Sequence, residues 1–260
     1  MDLQAILTAA HGISLAEVEG AELLSRLDSK FIVHEAWLPE LIGRVLSEGT
    51  HRVLEVQGER HSVYDNCFFD TADRHSFSDH TRGRKNRYKA RIRRYRSNGL
   101  AFLEVKHKTV HGRTEKVRWL RPEGQAWDAP LSHSEATACA TAFPFAAESA
   151  PVMWSTFERF TLVAPDRAER FTVDTGLTFR AADGREARLP GCAIIEIKQA
   201  RIDRRSPLFN ALDAFRGQHP PLGRTTRISK YVIGTALTQP EFPIRTYRPI
   251  LRQLQHTFLP

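Results

Sequence analysis

Apolar and polar residues alternate with a period of two through the middle of the chain, from residue 51 to residue 200. Because residues two apart lie on the same face of a strand, this alternation predicts β-strands. The runs are short, rich in β-branched and aromatic residues, and separated by turn sequences such as Ser97-Asn98-Gly99 and Asp183-Gly184. The pattern is typical of an antiparallel sheet.

Helical spacing of apolar residues flanks this β region. Helices are predicted within residues 2–24, 39–49, 122–150, 207–216 and 228–237, and a further strand within residues 26–34. This order favours an α+β fold, an antiparallel closed β-barrel of about eight strands with flanking N- and C-terminal helices. The predicted division is an N-terminal helical segment (1–25), the barrel domain (26–238) and a C-terminal tail (239–260) with little regular signal.

Charged residues occupy one face of strand after strand in the β region. The runs 87–95 and 102–108 show this most clearly, with charged faces made of Arg87, Lys89, Arg91 and Arg93 in the first and Glu104, Lys106 and Lys108 in the second. Asn98-Gly99 between them predicts a hairpin, which would place the two charged faces side by side.

The same design recurs in other predicted strands. Glu196 and Lys198 repeat the Glu-x-Lys pattern, and Lys30, Arg159 and Arg170 add cations to three more strands. For any one strand the ordinary interpretation is a sheet face that is exposed to water. The whole set indicates more, because like charges opposite one another destabilise a sheet unless an anion neutralises them.

Overall charge agrees with an anionic ligand. The chain has 38 Lys and Arg against 30 Asp and Glu, a formal net charge of +8. Arg binds phosphate oxygens through two parallel hydrogen bonds and Lys provides a compact positive charge, so a barrel lined with both would suit a phosphate chain. Among these bases, Glu196 could bind Mg²⁺ or Mn²⁺ through oxygen, or could pair with Lys198 or a neighbouring Arg.

Composition and motifs exclude several other classes. Hydrophobic residues make up 41% of the chain, enough for a folded core, and the three cysteines show neither a disulfide framework nor zinc-ligand spacing. The N-terminus does not look like a signal peptide and no apolar run approaches the ~18 residues of a membrane span, so we expect a cytoplasmic protein. Nucleic acid is not expected as a partner, because no nucleic-acid-binding motif is found and Tyr88 and Tyr95 fall on opposite faces of their strand.

Seven short motifs occur in an order that resembles a known family, the vacuolar transporter chaperone (VTC) domain, which is the polyphosphate polymerase branch of the triphosphate tunnel metalloenzymes. The resemblance extends from about residue 26 to about residue 237. The motifs are Arg26-x-Asp28-x-Lys30-Phe31, Phe68-Phe69-Asp70-Thr71, Arg91-Ile92-Arg93, Glu104-Val105-Lys106, Arg170-Phe171-Thr172-Val173-Asp174, Glu196-Ile197-Lys198 and Ser229-Lys230-Tyr231.

The resemblance implies an antiparallel β-tunnel that binds ATP and growing polyphosphate together with Mn²⁺ or Mg²⁺. It implies a catalytic role for Lys30, Arg91, Arg93, Lys106 and Lys230. It implies phosphate binding by Lys116, Arg159, Arg170, Lys198 and Arg227. Glu196 would be the metal ligand.

Two departures from the wider superfamily bear on the expected activity. That superfamily often begins with Glu-x-Glu-x-Lys, whereas this chain has Arg26 and Asp28 at the first two positions, which disfavours the adenylate cyclase and thiamine triphosphatase branches. Arg227 stands where a Lys would also be plausible, which keeps the charge but changes the geometry. No membrane-spanning segment is visible, so transfer of a product across a membrane would require a separate membrane protein partner.

Three functions remain compatible with these residues. The first is a polymerase that passes the γ-phosphate of ATP to a polyphosphate chain. The second is a hydrolase of tripolyphosphate or nucleoside triphosphates, in which water replaces the chain as acceptor. The third is a polyphosphate-binding module without turnover. All three require the same charged lining, but the resemblance favours the metal-dependent polymerase, with the hydrolase and the binding module as alternatives.

Overall fold

The computed structural model describes residues 2–19, 27–111, 113–218 and 227–259. In these residues the chain forms eleven strands and eight α-helices, which confirms the predicted α+β class. It divides into two compact units. Unit 1 comprises residues 1–62, 158–177 and 190–227, and unit 2 comprises residues 63–157, 178–189 and 228–260.

Unit 1 is a sheet covered by helices. Its helices are α1 (Leu3–Ala9), α2 (Leu15–Glu19), α3 (Leu38–Ser47) and α6 (Pro207–Gln218). Its strands are β1 (Gly12–Ser14), β2 (Leu27–His34), β3 (Arg52–Glu55) and β11 (Cys192–Gln199), with residues 158–164 of β8 (Ala150–Ala164) and 169–177 of β9 (Glu169–Ala181).

Helix α3 shows how the core of unit 1 forms. Pro39 lies in its first turn, where a missing backbone N–H has no cost. Its buried residues have the spacing of a single helix face and are Leu38, Leu41, Ile42 and Val45. They pack with one face of the sheet, represented by Phe31, Phe171 and Ile195. The opposite face of these strands is therefore available for polar residues.

Unit 2 contains the charged hairpin that the sequence predicts. Its strands are β4 (Ser62–Asp70), β5 (Arg87–Tyr95), β6 (Ala101–Lys108), β7 (Thr114–Leu120) and β10 (Glu186–Leu189), with residues 150–157 of β8 and 178–181 of β9. Its helices are α4 (His75–Arg82), α5 (His133–Cys139), α7 (Lys230–Thr238) and α8 (Arg248–Phe258).

The β5–β6 turn and the core of unit 2 together fix which side chains share a face. Gly99 adopts φ +73°, a value that favours glycine, and its N–H donates to the carbonyl of Tyr95. The apolar faces of the strands pack into a core that includes Cys67, Ile92 and Leu103. The charged residues consequently lie together on the other face.

The hydrogen-bonded strand order is β2-β11-β9-β8-β4-β5-β6-β7, with β10 beside β9, β3 beside β8 and β1 beside β3. The pairs with a defined register are antiparallel except β1–β3, which is parallel. Within the described residues this order begins at β2 and ends at β7, so hydrogen bonds do not close the sheet. The predicted closed barrel is therefore not confirmed.

Two helices differ from the prediction. The tail after residue 239 was expected to have little regular structure, but α8 occupies Arg248–Phe258 and buries Ile250, Leu251, Leu254 and Phe258 at helical spacing. Helix α4 interrupts the strand region because the carboxylate of Asp70 accepts hydrogen bonds from the N–H groups of Ser76 and Phe77 in its first turn. The predicted boundaries at residues 25 and 238 stay a prediction.

None of the helices in the described ranges is both long and apolar enough to cross a membrane.

Candidate functional site

The first charged face lies in unit 1 and is called the Glu196 face. It consists of the aligned polar residues of β2, β8, β9 and β11, namely Asp28, Lys30, Arg159, Arg170, Thr172, Asp174, Glu196 and Lys198. Glu196 lies opposite Lys30 on one neighbouring strand and opposite Thr172 on the other. Lys198 lies opposite Arg170, so two cations are direct cross-strand neighbours.

One carboxylate on this face contacts two ammonium groups. Oε1 of Glu196 lies 2.8 Å from Nζ of Lys30 and 2.7 Å from Nζ of Lys198. Burial lowers the pKa of Lys198, and the charge of Glu196 opposes this shift. The negative charge of Glu196 is therefore shared by two positive charges, and Asp28, directly opposite Lys198 on β2, adds a second negative charge beside Lys198.

Arg159 is oriented by Asp174. Its Nε and Nη2 donate to the two carboxylate oxygens at 2.5 and 2.8 Å, the parallel geometry that fixes the plane of a guanidinium. The hydroxyl of Thr172 is buried on the same face and makes no hydrogen bond to any described residue. A phosphate oxygen is a suitable acceptor for such a hydroxyl.

The second charged face lies in unit 2 and is called the Glu104 face. It is the polar side of β5, β6 and β7, where the strands place eight cations against one carboxylate, Glu104. The cations are Arg87, Lys89, Arg91, Arg93, Lys106, Lys108, Lys116 and Arg118. Lys106 lies directly opposite Lys89 on one side and Lys116 on the other. Three lysines thus form one row across three strands.

Glu104 positions two of these cations. Nε and Nη2 of Arg91 donate to its Oε2 at 2.9 and 2.6 Å, and Nζ of Lys116 donates to its Oε1 at 2.6 Å. Burial by itself would raise the pKa of Glu104, but the charges of Arg91, Arg93 and Lys116 outweigh burial and hold this pKa far below its usual range. Glu104 is therefore a permanent carboxylate with a positioning role.

Arg93 also contacts two neutral groups. Its Nε donates to Oδ1 of Asn66 at 3.0 Å, and its guanidinium carbon lies 5.1 Å from the centre of the Tyr64 ring. Asn66 and Arg93 are cross-strand partners on β4 and β5. These contacts orient the guanidinium, whose positive charge also helps to lower the pKa of Glu104.

Two of the sequence motifs meet at the start of α7. The ring of Tyr231 stacks on Phe68 with centroids 5.2 Å apart, and its hydroxyl donates to the carboxylate of Asp70. Burial raises the pKa of Tyr231 well above its usual value, so the hydroxyl keeps its proton. The neighbouring Lys230 places its Nζ 4.3 Å from the centre of the Phe157 ring. Asp70 and Tyr231 thus act structurally, as supports for Lys230.

The predicted site residues fall into both units. The structure brings together Lys30, Arg159, Arg170, Glu196 and Lys198 in unit 1. It places Arg91, Arg93, Lys106, Lys116 and Lys230 in unit 2. Arg227 is exposed and makes no hydrogen bond or ion pair with the described residues. Arg26 of the first motif lies outside the described residues. The functional roles predicted for these residues stay predictions.

Glu104 and Asn66 were not predicted to position cations, whereas Asp174 was considered as a turn cap or a partner of the basic residues. Glu104, Asn66 and Asp174 contact Arg91, Arg93 and Arg159 respectively. The alternation pattern placed Glu104 and Asp174 on the charged faces, but their partners depend on which strands pair. Lys89 was visible on the charged face of its strand, although only the register of β5 and β6 reveals its place opposite Lys106.

A metal ion would have few protein ligands. The described ranges contain no group of three or more His, Cys, Asp or Glu side chains that could bind one. Mg²⁺ is often bound through one or two carboxylates together with substrate phosphates. Glu196 can provide one such carboxylate oxygen. The residues present could therefore bind a divalent cation only if phosphate oxygens supplied further ligands.

Comparisons with solved structures gave only distant likenesses. A protein of Hippeastrum, proposed as an adenylyl cyclase and showing a dominant triphosphatase activity, is 16% identical, with a TM-score of 0.47 over 84% of this chain and 100% of its own. A proposed adenylate cyclase of Bacillus halodurans is 10% identical, with a TM-score of 0.46 over 79% of this chain and 94% of its own. One of Vibrio parahaemolyticus is 14% identical, with a TM-score of 0.41 over 88% of this chain and 98% of its own. At these scores the likeness carries no conclusion about this chain.

The comparison with protein families is decisive. No curated protein matches the chain significantly. The profile of the VTC domain, in contrast, matches residues 25–239, which is most of the chain and nearly the range over which the seven motifs occur. The resemblance stated from the motifs is thereby confirmed, and the chain belongs to the VTC domain family.

Proposed function

We propose that this protein is a metal-dependent polyphosphate polymerase that transfers the γ-phosphate of ATP to a growing polyphosphate chain. The observation that carries the proposal is the charge of the Glu104 face, with its lysine row Lys89-Lys106-Lys116 on three adjacent strands. Like charges directly opposite one another destabilise a sheet. A bound anion with several closely spaced negative charges would remove this cost, and a phosphate chain has such charges.

The arrangement of Arg91, Arg93 and Arg159 supports phosphate rather than a simple halide or carboxylate ligand. Each guanidinium is oriented by a protein acceptor through its Nε. Because the guanidinium groups are oriented before the ligand binds, less side-chain entropy is lost when they bind phosphate oxygens. Lysines contribute positive charge without the rigid planar set of N–H donors that arginine has. This suits a polyphosphate chain that must move by one phosphate after each transfer.

The proposed reaction balances without any further reactant. The bond between the γ-phosphorus of ATP and its bridging oxygen breaks, and ADP leaves with that oxygen. A terminal oxygen of the polyphosphate chain forms the new bond to phosphorus, so the chain gains one phosphate. Phosphoryl transfer depends chiefly on positioning and charge neutralisation, which oriented arginines and lysines such as those of the Glu104 face would provide.

Glu196 is the proposed metal ligand, with Mn²⁺ or Mg²⁺ as the cation. When bound, the cation would offset the charge of the donor phosphates. Glu196 would exchange its contacts with Lys30 and Lys198 for this ion, and the two ammonium groups would then be available to phosphate.

The test is an incubation of the pure protein with ATP labelled at the γ-phosphate, with Mn²⁺ or Mg²⁺, followed by a polyacrylamide gel and by measurement of ADP and free phosphate. We expect a ladder of labelled polymer with one ADP formed per phosphate incorporated. Release of free phosphate without polymer would instead identify a hydrolase. Binding of polyphosphate without ADP formation would identify a binding module, and either result would overturn the proposal.

A further inference from the structure

A second arginine-rich region of unit 2 lies outside both charged faces. It is a cavity of about 350 Å³, here called the tryptophan cavity, and its lining includes Arg94, Arg96, Trp127, Trp154, Arg180 and Arg188. Arg94 lies on β5 next to Arg93, and adjacent strand residues point to opposite sides of a sheet. The cavity is therefore on the reverse side of the sheet from the Glu104 face, and the functions considered so far do not use it.

One wall of the tryptophan cavity is fixed by a buried arginine. Arg121 donates to the carbonyls of Trp127, Ala129 and Pro130 at 2.8, 2.9 and 3.0 Å, and to the carboxylate of Glu135. These bonds hold the loop that carries Trp127 and Asp128 in one conformation. Asp128 in turn accepts a hydrogen bond from Nε1 of Trp154 at 2.9 Å. The wall is consequently formed before any ligand arrives.

Two of the lining arginines are oriented but retain free donors. Arg94 and Arg96 each bind Asp65 through Nε and Nη2, at distances of 2.5 to 3.0 Å. The Nη1 nitrogens of both side chains make no hydrogen bond to the described residues. A single carboxylate thus fixes two guanidinium groups and neutralises only one of their charges.

The other two arginines have no carboxylate partner among the described residues. Arg180 lies over the ring of Trp154, with its guanidinium carbon 4.2 Å from the ring centre, and Arg188 makes no hydrogen bond or ion pair with any residue that the structure describes. The cavity lining holds four arginines against three carboxylates, Asp65, Asp128 and Glu186. Asp65 and Asp128 are already engaged, so Glu186 alone is left to offset Arg180 and Arg188.

We propose that the tryptophan cavity is a second anion site, which binds a small multiply charged phosphate such as pyrophosphate. The free Nη1 donors of Arg94 and Arg96, together with Arg180 and Arg188, supply the charged N–H groups that phosphate oxygens accept. Its volume is at the lower end of the range for small-molecule sites, which restricts the ligand to a short phosphate. The proposal does not rest on polymerase activity.

The experiment is a calorimetric titration with pyrophosphate at constant ionic strength and without divalent metal, with tryptophan emission followed in parallel. It uses the Lys106→Ala variant, in which the Glu104 face is weakened. Its comparison is the same variant with Arg180→Ala and Arg188→Ala added. The matched control adds Arg248→Ala and Arg252→Ala, which remove two exposed arginines of α8 that make no bond to the described residues. Circular dichroism establishes that each variant is folded.

We expect saturable binding that alters tryptophan emission, because pyrophosphate would draw Arg180 away from the Trp154 ring. Removal of Arg180 and Arg188 should weaken it by at least about tenfold, while the α8 control keeps the original affinity. Absence of saturable pyrophosphate binding, or equal affinity after removal of these two arginines, would overturn the proposal of an anion site in the tryptophan cavity. Citrate provides the second arm: binding of citrate as tight as that of pyrophosphate would overturn the assignment to phosphate.

Discussion

Lys30 and Glu196 are direct cross-strand partners on β2 and β11, and Nζ of the lysine lies 2.8 Å from Oε1 of the glutamate. The same oxygen contacts Nζ of Lys198 at 2.7 Å. On the whole Glu196 face four cations (Lys30, Arg159, Arg170 and Lys198) lie among three carboxylates (Asp28, Asp174 and Glu196), which leaves a surplus of one positive charge. The arrangement suits an anion, or an anion together with a cation that takes the glutamate oxygen.

Substitution Glu196→Gln tests this role while keeping the shape of the side chain. The amide has no charge, so it can neither bind a divalent cation strongly nor balance Lys30 and Lys198. We expect turnover of ATP to fall by at least about a hundredfold, with binding of tripolyphosphate retained because the cations remain. Steady-state ADP formation as a function of Mn²⁺ concentration, and calorimetric binding of tripolyphosphate, measure the two effects.

The matched control for this charge change is Glu48→Gln at the exposed C-terminal end of α3. It should leave turnover at the wild-type value. Turnover of Glu196→Gln equal to that of the wild type at every Mn²⁺ concentration would remove Glu196 from the mechanism.

Lys106→Met tests the lysine row of the Glu104 face. The substitution removes the middle charge between Lys89 and Lys116 and keeps an unbranched side chain of similar length. We expect tripolyphosphate to bind about tenfold more weakly, with a correspondingly smaller rise in melting temperature when it is added. The salt dependence of binding should also become less steep, because fewer ionic contacts form.

Arg252→Met on α8 is the control for Lys106→Met, since Arg252 is exposed and lies far along the chain from the row. It should bind tripolyphosphate like the wild type. Equal weakening in both variants would show that net charge alone attracts the anion, and that the row has no special part in binding.

Gly234→Ala tests the packing of α7, whose first residue is Lys230. A Cβ atom at Gly234 would lie 2.5 Å from Cδ1 of Phe179 and 2.9 Å from Sδ of Met153, so these side chains must shift. We expect a loss of about 1–3 kcal/mol in the free energy of unfolding, measured by urea denaturation. At Gly43 in α3 an added Cβ meets nothing within 4 Å, so Gly43→Ala should stabilise the protein by up to about 1 kcal/mol. Equal effects of the two substitutions would contradict the close approach at Gly234.

The charged hairpin could be predicted from the sequence because its information is local. Alternation fixed which residues of β5 and β6 share a face, and Asn98-Gly99 indicated the turn between them, although the pairing of Lys89 with Lys106 follows only from the observed register. The spacing of Ile250, Leu251 and Leu254 likewise indicates a helix, but Pro240 and Pro243 in the preceding segment and Pro249 in the first turn of α8 concealed it.

Other features depend on residues distant in sequence. The hydrogen bond from Tyr231 to Asp70 joins positions 161 residues apart, and the contact of Asn66 with Arg93 depends on the pairing of β4 with β5. Periodicity assigns residues to a face but does not state which strands are neighbours or whether the last strand pairs with the first. For that reason the faces could be predicted, while closure of the barrel and the partners of the cations could not.

The pH dependence of stability should report on Asp65, the residue that orients Arg94 and Arg96. Burial by itself would raise its pKa, but hydrogen bonds from Arg96, Arg94 and Thr156 outweigh burial and lower the pKa to about 2. A carboxylate whose pKa is depressed by folding stabilises the protein above its unfolded pKa of about 4, and this contribution is lost as the pH falls toward the folded value. We expect Asp65→Asn to lower the free energy of unfolding by about 1–2 kcal/mol at pH 6, and the difference from wild type to shrink progressively between pH 4 and pH 2.

Urea denaturation at several pH values measures this difference in the free energy of unfolding. Glu48→Gln is the control, and its difference from wild type should stay small at every pH. Parallel pH profiles for wild type and Asp65→Asn would show that the ion pairs of Asp65 do not contribute to stability.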